Sequence, residues 1–133
     1  MSKLTHNQEL LFSKPLPSSR SGAFYNAFPH PTKISPEAIA IYIACMTRPG
    51  DTILDAFAGS GSAGIAALLC EHPTEKMIDT AKQLGVLPAW GKRNAILYEI
   101  GTYASFAIKT ITSRLTSKEY TETVEDFIRK GEK

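Results

Sequence analysis

Nineteen residues, Thr52 to Cys70, constrain this chain more than any others, because they write a short apolar strand, a glycine-rich break and a small-residue helix in succession. Thr52 to Ala56 reads as a buried strand, and Gly59-Ser60-Gly61-Ser62 interrupts it. Ala63 to Cys70 then supplies a helix whose small side chains let it pack close to a sheet. Asp55 falls near the carboxyl end of the strand, where open α/β sheets present ligand-binding groups. Glycines at the bend let the backbone approach a ligand more closely than any Cβ permits. The helix N-terminus directs unpaired N–H groups into the same space. With a carboxylate held beside it, such a loop suits a ligand carrying polar and partly cationic atoms.

The flanking sequence fits the same architecture. Ser35-Pro36-Glu37 starts a helix with a capping hydroxyl, a proline at the first helical position and an acid in the first turn. That helix runs to about Met46, is apolar on most sides and must be buried. Arg48-Pro49-Gly50-Asp51 is a turn. Glu71 to Trp90 carries turn residues at His72-Pro73 and Leu87-Pro88 around a short helix between Thr74 and Leu84. Asn94 to Ile100 is a second strand whose apolar centre suits a parallel sheet covered on both faces. A helix from about Thr102 to Leu115 follows, and another begins near Ser117, with Tyr120, Val124, Phe127 and Ile128 at helical spacing. This order is the grammar of a doubly wound parallel α/β sheet, of which two strands make only the opening half. Residues 1–22 show no helical or strand period and are expected to form a flexible or loosely docked arm, leaving 23–133 as a partial domain. Phe24 to Pro31 is expected to lie extended across the core.

Composition narrows the function classes. A length of 133 residues allows one modest core, and 43% apolar with 21% charged residues excludes a disordered tail. The longest nearly apolar stretch, Ala38 to Met46, is too short to span a bilayer, and no signal peptide opens the chain; no membrane partner is expected. Cys45 and Cys70 lie in apolar runs without C-x-x-C spacing, which argues against a disulfide scaffold or a cysteine zinc site and for small core residues in a reducing cytoplasm. His6, His30 and His72 share no ligand spacing, so no metal is expected. A net charge of +2 does not announce nucleic acid; residues 1–48 hold five Lys/Arg against two acids, more simply a solvated surface. Trp90 is expected to close over a core edge. Lys92 and Arg93 read either as DNA-phosphate contacts or as a solvated turn.

Three nucleotide-site readings compete for the glycine loop. A phosphate-binding P-loop needs a lysine after the glycines, and none follows Gly61 or Gly64. Gly59-Ser60-Gly61-Ser62-Ala63-Gly64 matches the dinucleotide pattern, but that fingerprint wants an acid about 20 residues on. Glu99 comes 35 residues after Gly64, and Asp55 would sit unhelpfully near a pyrophosphate. The third reading is S-adenosylmethionine.

Asp55-Ala56-Phe57-Ala58-Gly59-Ser60-Gly61-Ser62 resembles the Asp-Pro-Phe-x-Gly-Ser-Gly-Thr signature of the amino-methylating DNA methyltransferases, which act on adenine N6 or cytosine N4. Phe28-Pro29-His30-Pro31-Thr32-Lys33 is similar to the segment preceding that signature, and Arg48-Pro49-Gly50-Asp51 to its approach. Gly91 to Ile100 resembles the second strand with its terminal acid. The resemblance spans about residues 28–106 and implies a Rossmann-like S-adenosylmethionine-dependent methyltransferase fold, incomplete at its carboxyl end. It implies that Gly59 and Gly61, within the loop that also holds Ala58 and Ser60, cradle the cofactor and that Phe57 packs on it. Asp55 would orient the methionine ammonium, Glu99 the ribose hydroxyls, and Thr32 with Lys33 the methionine carboxylate. Ala56 replaces the usual proline and Ser62 the usual threonine, and the gap to Glu99 is longer than usual. These enzymes hold the target amine with a polar-Pro-Pro-aromatic motif, and this chain has no adjacent prolines. The expectation is therefore the cofactor-binding part of a DNA methyltransferase, either the front piece of a longer enzyme or one part of a split one. Its partners are DNA, through the complete enzyme, and in the split case a second polypeptide carrying the target-base half. A non-catalytic remnant, an accessory module and a dinucleotide-binding protein are the alternatives.

Overall fold

A computed structural model of the chain describes residues 5–15, 26, 34–113 and 116–131. Its helices are α1 (His6–Ser13), α2 (Pro36–Met46), α3 (Ser62–Leu69), α4 (Glu75–Leu84), α5 (Thr102–Thr112) and α6 (Ser117–Gly131); its strands are β1 (Thr52–Asp55) and β2 (Asn94–Leu97). The strands pair in parallel, Thr52 opposite Asn94 and Asp55 opposite Leu97. Pairing outlasts the strands: the Tyr98 N–H donates to the Asp55 carbonyl (2.8 Å) and the Ala58 N–H to the Tyr98 carbonyl (3.0 Å). The strand-to-loop transitions after β1 and β2 are thereby stitched side by side.

Alternation decides which face the helices cover. Ile53 packs on a cluster built from α2 (Ala40, Ile43, Ala44), Ala66 of α3 with Cys70 at its C-cap, and Met77 of α4. Leu54 and its cross-strand neighbour Ile96 point the other way and stay 65% and 48% exposed. A sheet covered on both faces is thus not what the described residues form. Parallel strands ordinarily have helices on both sides, and here α2 and α3 supply one layer only. Of the doubly wound sheet expected, the described residues form one parallel pair of strands.

The expectation of an arm without helical period fails for residues 6–13. Thr5 caps α1 in a reciprocal capping box with Gln8, and Leu11 is fully buried among Ile41, Ala81, Leu84 and Val86. The Asn7 side chain docks α1 like a strand edge, its Nδ2 donating to the Leu87 carbonyl (3.1 Å) and its Oδ1 accepting from the Leu87 N–H (2.7 Å). The Thr-x-x-Gln spacing was the available signal. Leu11→Ala should cost about 2–3 kcal/mol in denaturant unfolding, the low end for a buried leucine because a short terminal helix can relax toward the gap. An unchanged midpoint would show that α1 is not part of the core.

The segment from Glu71 to Trp90 is likewise core. Thr74 caps α4 at its start and Gly85, in the left-handed region, at its end. Met77, Ala81 and Leu84 are buried, and Trp90 packs against both apolar clusters, closing a core edge as expected. The Ser35 hydroxyl does not cap α2; it donates to Glu37 instead (3.4 Å).

Arg93 overturns both of its sequence readings. Only 4% exposed, it is neither a solvated turn residue nor placed to meet DNA phosphate. Its guanidinium donates to the Thr47 hydroxyl (3.2 Å), the Thr47 carbonyl (2.9 Å) and the Gly91 carbonyl (2.9 Å). Thr47 is the C-cap of α2, so a cation sits at the negative end of that helix. On α6, Tyr120, Val124 and Ile128 hold helical spacing but remain exposed. The Phe127 side chain and Leu115 lie outside the described residues, as does the segment Phe24 to Pro31 expected to be extended, apart from Asn26, which is helical and exposed.

Candidate functional site

At the carboxyl ends of β1 and β2 an open cleft of about 380 Å³ lies between Ala56 and Phe57 on one side and Tyr98, Glu99 and Ile100 on the other. That is within the roughly 300–1,000 Å³ usual for small-molecule sites. Its walls are apolar: Phe57 is 92% exposed and Ile100 wholly so. Glu99 lines it, and Asp55 ends β1 one residue before the Ala56 wall. Asp55 accepts the Phe57 N–H at Oδ1 (3.0 Å), which bends the chain away from the strand. Glu99 reaches the glycine loop, its Oε2 accepting from Gly59 N–H (2.7 Å) and its Oε1 from Gly101 N–H (2.7 Å).

The loop closes tightly. The Gly61 N–H donates to the Ala58 carbonyl (2.7 Å), and the Ser60 and Ser62 hydroxyls share a hydrogen bond (3.2 Å) in a buried setting. Gly59 (φ +52°) and Gly61 (φ +76°) occupy the left-handed region, which side chains rarely adopt. Gly61 has a second reason to be glycine: a Cβ there would stand 2.9 Å from Cγ1 of Ile108 on α5. Gly64 in turn packs α3 onto Leu97 of β2, where an added Cβ would meet Cδ1 at 2.6 Å. Those two glycines therefore serve close helix packing, and of the pair expected to cradle a ligand Gly61 turns its bare side to α5.

Of the residues expected at the site, Phe57 and Glu99 line the cleft, Gly59 is hydrogen-bonded to Glu99, and Asp55 to the Phe57 N–H. The structure buries Ala58 and Ser60 beneath the loop and places Gly61 at the start of α3. Thr32 and Lys33 lie outside the described residues. Sequence reasoning missed Ala56, Tyr98 and Ile100 as walls; their positions beside the two strand-end acids were the signal. Among the described residues no group of three His, Cys, Asp or Glu could hold a metal ion, and no helix is long and apolar enough to cross a membrane.

Both cysteines lie apart from the cleft and are unreactive by environment. Burial pushes the Cys45 thiol from 9.0 up to about 11, against a lowering hydrogen bond with Asn7 and helped by nearby Cys70. Cys70, whose Sγ donates to the Ala40 carbonyl (3.5 Å), is also raised by burial, with the Arg93 charge partly opposing. Since the thiolate reacts and a raised pKa depletes it, Cys45 at pH 8 should alkylate about 100-fold more slowly than an unperturbed thiol. Iodoacetamide labelling read by mass spectrometry checks this, and modification at the free-thiol rate would contradict the buried setting.

A parallel strand pair with a glycine loop is consistent with what the chain is similar to. The family model described as DNA methylase, of the N6/N4 amino-methylating class, matches residues 5–109. No curated protein and no solved structure matches the chain. The match starts at α1 and ends within α5, so it takes in the glycine loop, both strand-end acids and all of the core around Trp90. The chain belongs to the N6/N4 DNA methylase family.

Proposed function

We propose that this chain holds S-adenosylmethionine in the cleft between Phe57 and Ile100, as the cofactor-binding part of the methyltransferase to which its family assigns it. The observation that carries the reading is an apolar opening lined by Glu99, which accepts from Gly59 of the glycine loop, and by Phe57, whose N–H is held by the Asp55 carboxylate at the end of β1. When bound, S-adenosylmethionine supplies a methyl group on a cationic sulfur. The residues fit such a ligand: Asp55 offers a carboxylate to the methionine ammonium, Glu99 acceptor oxygens to the ribose, and Phe57 and Ile100 an apolar slot for the adenine. The Gly59 to Gly61 backbone would support the chain joining them, and Thr32 with Lys33 would meet the methionine carboxylate.

Methyl transfer to an exocyclic amine also needs the target base flipped out and its nitrogen held in line with the sulfur. With no adjacent prolines in 133 residues, that task falls to another polypeptide segment acting on DNA. Leu54 and Ile96 on the uncovered face of the sheet, together with the outer edge of β1, are where such a segment would add its own layer.

Calorimetric titration tests this. Heat is expected with S-adenosylmethionine or S-adenosylhomocysteine and none with NAD. No heat with either sulfur nucleoside removes the cofactor reading. Methylation of DNA by the purified chain alone refutes the separate target-base half.

A further inference from the structure

We infer that Glu99 is a positioning residue as well as a ligand group: its carboxylate is a clasp that fixes the distance between the two walls of the cleft. The inference rests on the cofactor reading above. Gly59 belongs to the loop after β1, two residues beyond the Phe57 wall, and lies 40 residues before Glu99. Gly101 is the N-cap residue of α5, directly after the Ile100 wall. One carboxylate therefore ties both walls together through two short charge-assisted bonds, each 2.7 Å. The surroundings are built to hold it. The Ser105 hydroxyl donates to the Glu99 carbonyl (3.1 Å), and the Ala58 N–H to the Tyr98 carbonyl (3.0 Å), fixing the peptides on either side of the clasp. Gly101 leaves it room, since a Cβ there would stand 3.0 Å from Glu99 Oε1.

An acid kept only for ribose would need no bond to either wall. This one presets the slot before ligand arrives, which lowers the ordering cost of binding. Both oxygens are held at a fixed point, so the ribose meets an oriented acceptor. Glu99→Gln separates the two roles, because it keeps the side chain's shape but sets an NH₂ against one of the two N–H donors.

Two measurements decide. In the ligand-free chain, amide hydrogen exchange at Gly59 and Gly101 should quicken at least tenfold in Glu99→Gln, with α2 and α3 amides unchanged. The affinity for 2′,3′-dideoxy-S-adenosylhomocysteine, which offers no ribose hydroxyl, should fall at least fivefold. Gly101→Ala, which keeps the carboxylate and crowds Oε1, should weaken that same analogue in the same direction. Unchanged exchange at the two glycines overturns the clasp. Faster exchange with unchanged affinity for the dideoxy analogue overturns the positioning role and leaves Glu99 a ribose acceptor only. If the unaltered chain binds neither nucleoside, the cofactor reading fails and the positioning role with it, while exchange still decides the clasp.

Discussion

Arg93→Ala should lower the stability of the chain by about 3–4 kcal/mol, the largest loss expected from any single side chain here. Three hydrogen bonds from a charged donor are worth about 1.5–3 kcal/mol each when made, and losing the donor leaves buried acceptors unpaired. Against this stands the cost of burying a cation, which no carboxylate offsets among the described residues. The C-terminal end of α2 supplies the compensating negative potential, which is why the net remains favourable. At roughly 3–5 °C per kcal/mol for a domain of this size, the melting temperature should drop by about 10–15 °C. Arg93→Met should not rescue it, because two of the three acceptors are backbone carbonyls that no substitution at 93 removes. Arg93→Lys should recover part of the loss, since one ammonium replaces a fork spanning two residues. A normal melting curve in Arg93→Ala with impaired DNA binding would return the residue to the surface role that its sequence context suggested.

The legibility of the chain divides along the reach of its interactions. Local signals read correctly: Pro36 and Glu37 opened α2, the glycine run opened α3, Thr74 opened α4, and the turn at 48–51 formed with its Asp51 carboxylate accepting the Arg48 N–H (2.8 Å). What failed needed partners far along the chain. α1 has a local capping box but is held by Leu87, 80 residues away. Arg93 looks like half of a basic dipeptide until Thr47, 46 residues earlier, supplies its acceptors. The covering of the sheet was misjudged for a related reason. Leu54 and Ile96 have the apolar character of a two-sided parallel strand pair, and that character records a layer the described residues do not contain. At the site, the glycine loop and its two acids were legible because strand-end placement is local. The walls were not, since Tyr98 and Ile100 line a cleft only once β2 lies beside β1.

Asp55→Ala should weaken S-adenosylhomocysteine binding about 100-fold while the chain stays folded. Among the described residues the carboxylate accepts one hydrogen bond, from the N–H of Phe57, whose side chain is almost fully exposed. Losing that bond costs about 0.5–1.5 kcal/mol, too little to unfold a domain. A charge-assisted pairing with the ligand's ammonium is worth about 1.5–3 kcal/mol, and its upper end corresponds to about two decades in Kd. Asp55→Asn separates charge from loop geometry, because its amide oxygen still accepts from Phe57 N–H. If the role is electrostatic, Asn and Ala should be nearly equally poor binders, and methylthioadenosine, which carries no ammonium, should bind both variants as it binds the parent chain. If Asn restores full affinity, Asp55 acts by shaping the bend, and the cationic end of the ligand must be met by some other residue. A methylthioadenosine affinity that falls in parallel with that of S-adenosylhomocysteine would point the same way, since damage to the Phe57 wall is common to both ligands whereas loss of a counter-charge is not.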